Sequence, residues 1–338
     1  MMQILKSWAK SNRLVTLLAV LLAFVYVFPA FMEHGAKIEK VTGSIGKAIL
    51  AKANLGTDRK AVRQSSIDQS GRLDISSLHQ ALSELDYSLQ NIRDGQPVPR
   101  FFVEKMPIGI VDITDVGDRK RTFLKLVLPL ILNSNEKIQA RRDHLVALNT
   151  AQKSGKAPSA ADQKWLAGVA EYYRESPTDL PALLAKVDAI PVSMALAQAV
   201  EESGWGTSRF ALEGNALFGQ RVWSSGDANS GEGIIPEERD NGETHEVKAF
   251  NTLADSVKDY IHNLNVHDAY ADFRKERAEL RAEPGARLDG LRLAETLTPY
   301  SEGGSNYIEN LRTLIEANRL DDFESAILAP EQFADSRF

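Results

Sequence analysis

The sequence predicts an α+β fold, mostly α, with one small β-hairpin and a single membrane-spanning helix at the N-terminus. Three observations carry this expectation. Apolar residues recur at helical spacing in a succession of segments from Ile75 onward. One stretch, GIIPEERDNGETHEVKAF, sets two short strand-like runs around a DNG turn. Finally, an uncharged run of nineteen residues, Leu14–Met32, follows the cations Lys6, Lys10 and Arg13.

That run is long enough to cross a bilayer, which takes about 20 apolar residues, whereas a cleavable signal has an apolar region of about 7–15. Phe28 and Pro29 before Ala30 leave no clean small-x-small cleavage site, which favours an uncleaved anchor over a removed signal. With residues 1–13 as a basic cytoplasmic flank, the positive-inside rule places everything after Glu33 on the periplasmic side of the inner membrane. Residues 33–94 read as a stalk, punctuated by glycines, whose helix either stands apart from the main domain or packs on it. Within it Leu78, Leu82, Leu85 and Leu89 mark a helix over Ile75–Ile92.

The main domain is expected over 95–322, with 323–338 as a tail. An extended, Pro-bounded VPRFFVEKMP leads into a long helical pattern from Arg119 to about Thr150, which Pro129 kinks or divides. KSGKAPSA is a loop, Asp162–Arg174 a helix, and Leu183–Ile190 and Pro191–Ser203 a helix pair parted at the proline. Gly, Asn, Ser and Trp dominate from Gly204 to Gly233. Helical spacing then returns at Leu253–Leu264, Leu291–Leu297 and Asn306–Asn318.

Composition narrows the function. Of 338 residues, 43% are hydrophobic and 25% charged, enough for an ordinary core. Forty Lys and Arg against 46 Asp and Glu give a net charge of −6, so no basic excess exists to neutralise nucleic-acid phosphates. An anionic glycan remains compatible, because a cleft can carry local charge of the opposite sign. The absence of cysteine removes thiol nucleophiles, disulfides and Cys-based zinc sites. His245, His262 and His267 form no HExxH pattern, and His262 and His267 are five apart rather than four, so a metal set is not expected. No phosphate-cradling Gly-rich loop is present, and no cofactor is implied.

The chemistry concentrates in MALAQAVEESGWGTSRFALEGNALFGQ, Met194–Gln220. A helix apolar at Leu196, Ala199 and Val200 ends in Glu201-Glu202-Ser203 and breaks at Gly204. A helix C-terminus is already electronegative, so it disfavours ionised acids there. A carboxyl packed there against Trp205 should keep its proton near neutral pH, which is what protonating a glycosidic oxygen requires. Two adjacent acids alone would equally suit a solvated, fraying last turn.

The string A-Q-A-x-x-E-S-G-W-G followed by N-x-L-F-G resembles the glucosaminidase family of peptidoglycan hydrolases. ESGWGTSRFA, GNALFGQ, HEV, NLNVHDAY and YSEGG-x-x-Y, in that order, resemble its Bax-like branch. The resemblance covers roughly Pro181–Leu320 and implies a lysozyme-like fold. Carried over by position, it makes Glu202 the general acid, Glu201 a variable solvated neighbour, and Trp205 the group packed behind the acid. Asn215, Leu217, Phe218 and Gly219 resemble the loop that floors the sugar cleft, with Gln220 closing the block. Phe218 is either core or a sugar platform, and Trp223 is the better candidate for stacking on a sugar face. The family places a second carboxylate shortly before a turn glycine, which points to Glu238 before Gly242, with Glu237 facing the other way. Tyr300 matches a tyrosine presented to the cleft opposite the acid. The family's F-R-x-Y block is incomplete, since no arginine follows Phe250.

The expectation is therefore a peptidoglycan hydrolase that cleaves the β-1,4 bond after N-acetylglucosamine, with glycan strands as its partner and no nucleic acid. The rivals are a lytic transglycosylase that works with one acid and a non-catalytic wall-binding module.

Overall fold

The computed structural model describes residues 71–223, 233–237, 245–285 and 287–331. The expected span at 14–32, Glu238 and the DNG turn lie outside the described residues. Among the described residues no helix is long and apolar enough to cross a membrane. The described residues lie in the unit that runs from Ser66 to Phe338.

The helices are α1 (Ile75–Glu84), α2 (Leu89–Arg93), α3 (Val116–Lys153), α4 (Ala160–Tyr173), α5 (Leu180–Lys186), α6 (Val192–Ser203) and α7 (Arg209–Gly214), then α8 (Leu253–Val266), α9 (Ala271–Ala282), α10 (Gly290–Ala294) and α11 (Ser305–Asn318). Between α7 and α8 lie β1 (Arg221–Trp223), β2 (Gly233–Ile234) and β3 (His245–Lys248), an antiparallel sheet in the order β1-β3-β2. The fold is mostly helical with a small three-stranded sheet. The expected hairpin is the β2–β3 pair, with Ile234 opposite Val247. Sequence reading missed β1, three residues that pair Val222 with Glu246.

The 38-residue α3 is about 57 Å long at 1.5 Å per residue. Asp115 caps its start by accepting from the Asp118 amide. Pro129 lies inside it without dividing it. An interior proline costs about 3 kcal/mol, and here it sits in a continuous buried run from Phe123 to Leu132 (only Lys125 excepted) whose burial offsets that cost. The segment read as a stalk is, from α1 onward, part of the domain. Leu78, Leu82, Leu89 and Ile92 are buried in the common core, because the apolar stripe of α1 needs an apolar partner and finds it there.

The centre of the domain is α6. Every residue of it is buried except Glu201 and Glu202. It packs against α3, α10, α11 and the 3-10 turn Leu320–Phe323. Pro191 offers no side-chain cap to its start. Instead Glu324 accepts from the Val192 and Ser193 amides, both at 3.0 Å, and from the Ser193 hydroxyl. A carboxylate brought from 132 residues away thus caps the helix start and ties the C-terminal turn to the core. At the other end Gly204 adopts the left-handed conformation (φ 56°), and Trp205 follows it with φ 60°. The chain therefore leaves α6 sharply, directly after the two acids.

Candidate active site

Glu202 stands at the open end of this buried helix, on the wall of a cleft of about 880 Å³. Part of the cleft's lining is a stripe of α8, Asp259, His262, Asn263 and Val266, at the spacing that shares a helical face, with His267 just past the helix end. Phe218–Val222 and the Thr298–Glu302 turn also line it. Burial pushes the Glu202 carboxyl from its ordinary range up to about 7, with a further push from Glu201. A hydrogen bond from Tyr307 and the charge of Arg221 hold it back from going higher. The carboxyl is therefore held well above an ordinary glutamate, and the largest cause is burial rather than the helix end.

The agent of that burial differs from expectation. Trp205 does not line the cleft. Its ring meets Phe123 edge-on at 6.0 Å and lies under the Lys120 ammonium at 4.7 Å, on the α3 side. Its left-handed backbone turns it away from Glu202. The carboxyl is instead enclosed by tyrosines and a glycine. Gly219 has φ 59°, and a Cβ there would lie 2.6 Å from Oε2 of Glu202. Only a residue without a side chain lets the loop come this close to the acid.

Behind Glu202 runs a buried chain of hydrogen bonds. The Tyr260 hydroxyl donates to Oε1 of Gln198 at 2.5 Å, and Nε2 of Gln198 donates to the Tyr307 hydroxyl at 2.9 Å. The Tyr307 hydroxyl is among the groups that keep the Glu202 carboxyl from rising further. Gln198 lies one turn before Glu202 on the same face of α6 and is fully buried. Burial holds the phenols of Tyr260, Tyr300 and Tyr307 above their ordinary range, so they act as donors rather than bases at neutral pH. Tyr300 lines the cleft as expected. Its hydroxyl donates to the Phe218 carbonyl at 2.9 Å, and its ring stacks on Tyr307 at 5.7 Å.

Two other candidates prove structural. Phe218 is 1% exposed and stacks face to face on Tyr260 at 3.8 Å, so its ring is core, not a sugar platform. Asn215 is buried in the left-handed conformation. Its Oδ1 accepts from the Met106 amide at 3.0 Å and its Nδ2 donates to the Phe250 carbonyl at 2.9 Å. Asn215 therefore clamps the loop to two distant segments.

Gln220 does line the cleft. Its Nε2 donates to Asp259 at 2.7 Å, and Asp259 also receives Lys248 at 2.8 Å. Trp223 lies in β1 opposite His245; its side chain is outside the described residues. Glu201 turns away from the cleft and accepts from Asn310 at 3.0 Å. Glu237 faces Arg209 at 3.3 Å and is exposed, away from the acid's neighbours.

The histidines gather no metal set. His262 packs on Tyr172 at 4.3 Å and burial lowers its affinity for a proton, while Nδ1 of His267 accepts from the Ala269 amide. Among the described residues no group of three or more His, Asp or Glu side chains could hold a metal ion. Sequence reading assigned no role to Gln198, Tyr260 or Tyr307. The available signal was an amide at position −4 from the acid on a helix otherwise built to be buried.

The Glucosaminidase family model, described as mannosyl-glycoprotein endo-beta-N-acetylglucosaminidase, matches residues 181–320. That span holds Glu202, the α8 stripe and the tyrosine cluster together. Among solved structures, the catalytic domain of the autolysin Auto from Listeria monocytogenes is 16% identical over 55% of this chain and 96% of that one. The TM-score is 0.28. Protein bax of Escherichia coli (strain K12) is 32% identical over 207 residues, 60% of this chain and 70% of that protein. With such a relative matched over most of its length, and the family model laid over the site just described, the chain belongs to the glucosaminidase family.

Proposed function

We propose that this protein is a lysozyme-like peptidoglycan hydrolase that cleaves the β-1,4 bond after N-acetylglucosamine, with Glu202 as general acid. The observation that carries the reading is the carboxyl held near pKa 7 at the wall of an open cleft. A general acid works best when its pKa lies close to the working pH, because it is then both protonated and willing to release the proton. Glu202 protonates the glycosidic oxygen, and the bond to the anomeric carbon breaks with oxocarbenium character. Tyr300, which lines the same cleft, orients the sugar at that carbon.

A water must then be activated, or the cation stabilised, by a second group. Both other carboxylates that line the described cleft are already engaged, Asp259 by Gln220 and Lys248, and Glu302 by Arg221 at 3.0 Å. The family resemblance points to the hairpin as the source, and to Glu238 as the residue. Glu238→Gln lowers turnover at least about 10²-fold while glycan binding persists, and Glu237→Gln does little. Turbidity assays on purified sacculi, with a pull-down for binding, read both. Equal effects of the two substitutions would sink this assignment and favour the one-acid lytic transglycosylase.

A further inference from the structure

We infer that Arg174 is a specificity-determining residue of the cleft: its guanidinium takes a carboxylate borne by the muramic sugar of the strand, so that charged wall glycan is selected over neutral glycan. This rests on the reading of the cleft as a peptidoglycan site. Arg174 lines the cleft from the end of α4, together with His262 and Asn263 of α8. The two helices pack against each other, and the Tyr172 ring lies on the His262 ring at 4.3 Å. The backbone of Arg174 is held on both sides, in the left-handed conformation that ends α4. Its amide donates to the Glu171 carbonyl at 3.2 Å, and its own carbonyl accepts from Nζ of Lys186 at 2.9 Å.

Among the described residues, the permanent cations of the lining are Arg174, Arg221 and Lys248. Lys248 is paired with Asp259 at 2.8 Å, and Arg221 with Glu302 at 3.0 Å. The remaining acid of the lining, Glu202, is pushed toward its neutral form by burial. Arg174 forms no ion pair among the described residues, and the acid next to it, Glu175, is taken by Lys186 at 2.9 Å. A chain of net charge −6 thus carries an unbalanced positive group in its cleft. Exposed arginines are common and most are merely solvated. Arg174 differs in standing on the wall of the cleft with its backbone pinned and its neighbouring acid engaged. It also lies outside the family-matched span, which begins at residue 181, so the segment before that span adds this group to the site.

The chemistry of the strand supplies the partner. N-acetylglucosamine is neutral. The muramic sugar that alternates with it carries a lactyl group, which ends in a free carboxylate on a bare strand and in an amide to a peptide on a substituted one. The peptide then brings carboxylates of its own. Either source presents an anion beside the glycan, and a guanidinium offers two parallel N–H donors that match the two oxygens of a carboxylate. Because Arg174 is exposed, the contact is modest in strength and screened by salt.

The test is calorimetric binding to the full chain carrying Glu202→Gln, which holds glycan without cutting it. The ligands are soluble strands with the same number of sugars: one bearing peptides, one stripped by an amidase so that its lactyl carboxylates are free, and a neutral N-acetylglucosamine oligomer. Adding Arg174→Gln weakens binding of a charged strand about fivefold relative to the neutral oligomer. Arg174→Lys recovers part of that loss, and about 1 M salt removes the preference from the parent protein. A loss confined to the peptide-bearing strand assigns a stem carboxylate, and a loss confined to the stripped strand assigns the lactyl group. A loss on both supports the shared chemistry. Equal weakening of all three ligands, or none, overturns the proposal while the cleft remains a glycan site. A parent protein that binds none of the three defeats the functional reading, and the proposal with it.

Discussion

Glu202→Gln lowers glycan-cleaving turnover by about 10²–10⁴-fold and, above pH 7, makes the folded protein more stable. Both effects have one cause. Burial holds the carboxyl at about 7 in the folded chain against 4.5 for an ordinary glutamate. Below pH 4.5 it is protonated in both states and contributes no penalty. As pH rises from 4.5 to 7, the unfolded chain releases the proton while the folded chain still holds it, so stability falls, and it levels off above 7. The cost at pH 8 is about 2–3 kcal/mol, allowing for the cleft's opening to water.

Gln keeps the shape and removes the charge. Wild type and variant should therefore match near pH 4, and the variant should resist urea better at pH 8. Wild-type kcat/KM, for its part, falls about tenfold per unit above pH 7. Denaturation midpoints at the two pH values decide it. A variant that is inactive but no more stable at pH 8 would show that Glu202 ionises freely, and that its burial is not the source of its acidity.

Asp188→Ala has the second large effect, on stability rather than turnover: it destabilises the domain by about 3–5 kcal/mol. Asp188 is 2% exposed and sits just before α6. It faces Arg281 at 2.8 Å, Arg142 at 3.3 Å and Arg277 at 3.8 Å. Arg277 is itself 1% exposed, and burial lowers its guanidinium to about 10. Arg277 also donates to Asn265 at 2.7 Å and to the Ala185 and Ala189 carbonyls. Removing the one carboxylate leaves buried positive charge without a counter-ion. An exposed pair such as Arg312–Glu295 behaves differently, and Arg312→Ala costs less than about 1 kcal/mol. Urea unfolding followed by circular dichroism compares the two. Equal small losses would mean that the cluster is solvated and does not fix the start of the acid-bearing helix.

Sequence legibility divides along physical lines. The α6 helix and its terminal acid could be read because an apolar helix, two carboxyls and a glycine break lie within a dozen contiguous residues. The β2–β3 pair was marked by strand-like runs on either side of a turn signal. The α9 helix gave no such mark: its buried face includes Arg274 and Arg277 beside Phe273 and Leu280. Those arginines are core residues only because Asp188, Asn265 and backbone carbonyls meet them from other elements.

The same reason explains the misplaced side chains. Trp205, Phe218 and Asn215 sit within 20 residues of Glu202 in sequence. A left-handed turn sends the first to α3, stacking on Tyr260 draws the second into the core, and Met106 and Phe250 claim the third. Conversely, Gln198, Tyr260 and Tyr307 converge on the acid from α6, α8 and α11, a relation that no local pattern encodes.

The most direct test of the central claim is mass spectrometry of the fragments released from purified sacculi by the wild-type protein. Hydrolysis after N-acetylglucosamine with Glu202 as acid yields muropeptides that end in reducing N-acetylglucosamine, and Glu202→Gln yields none. Anhydro-muramic termini, reducing muramic ends, or unchanged release by Glu202→Gln would contradict it.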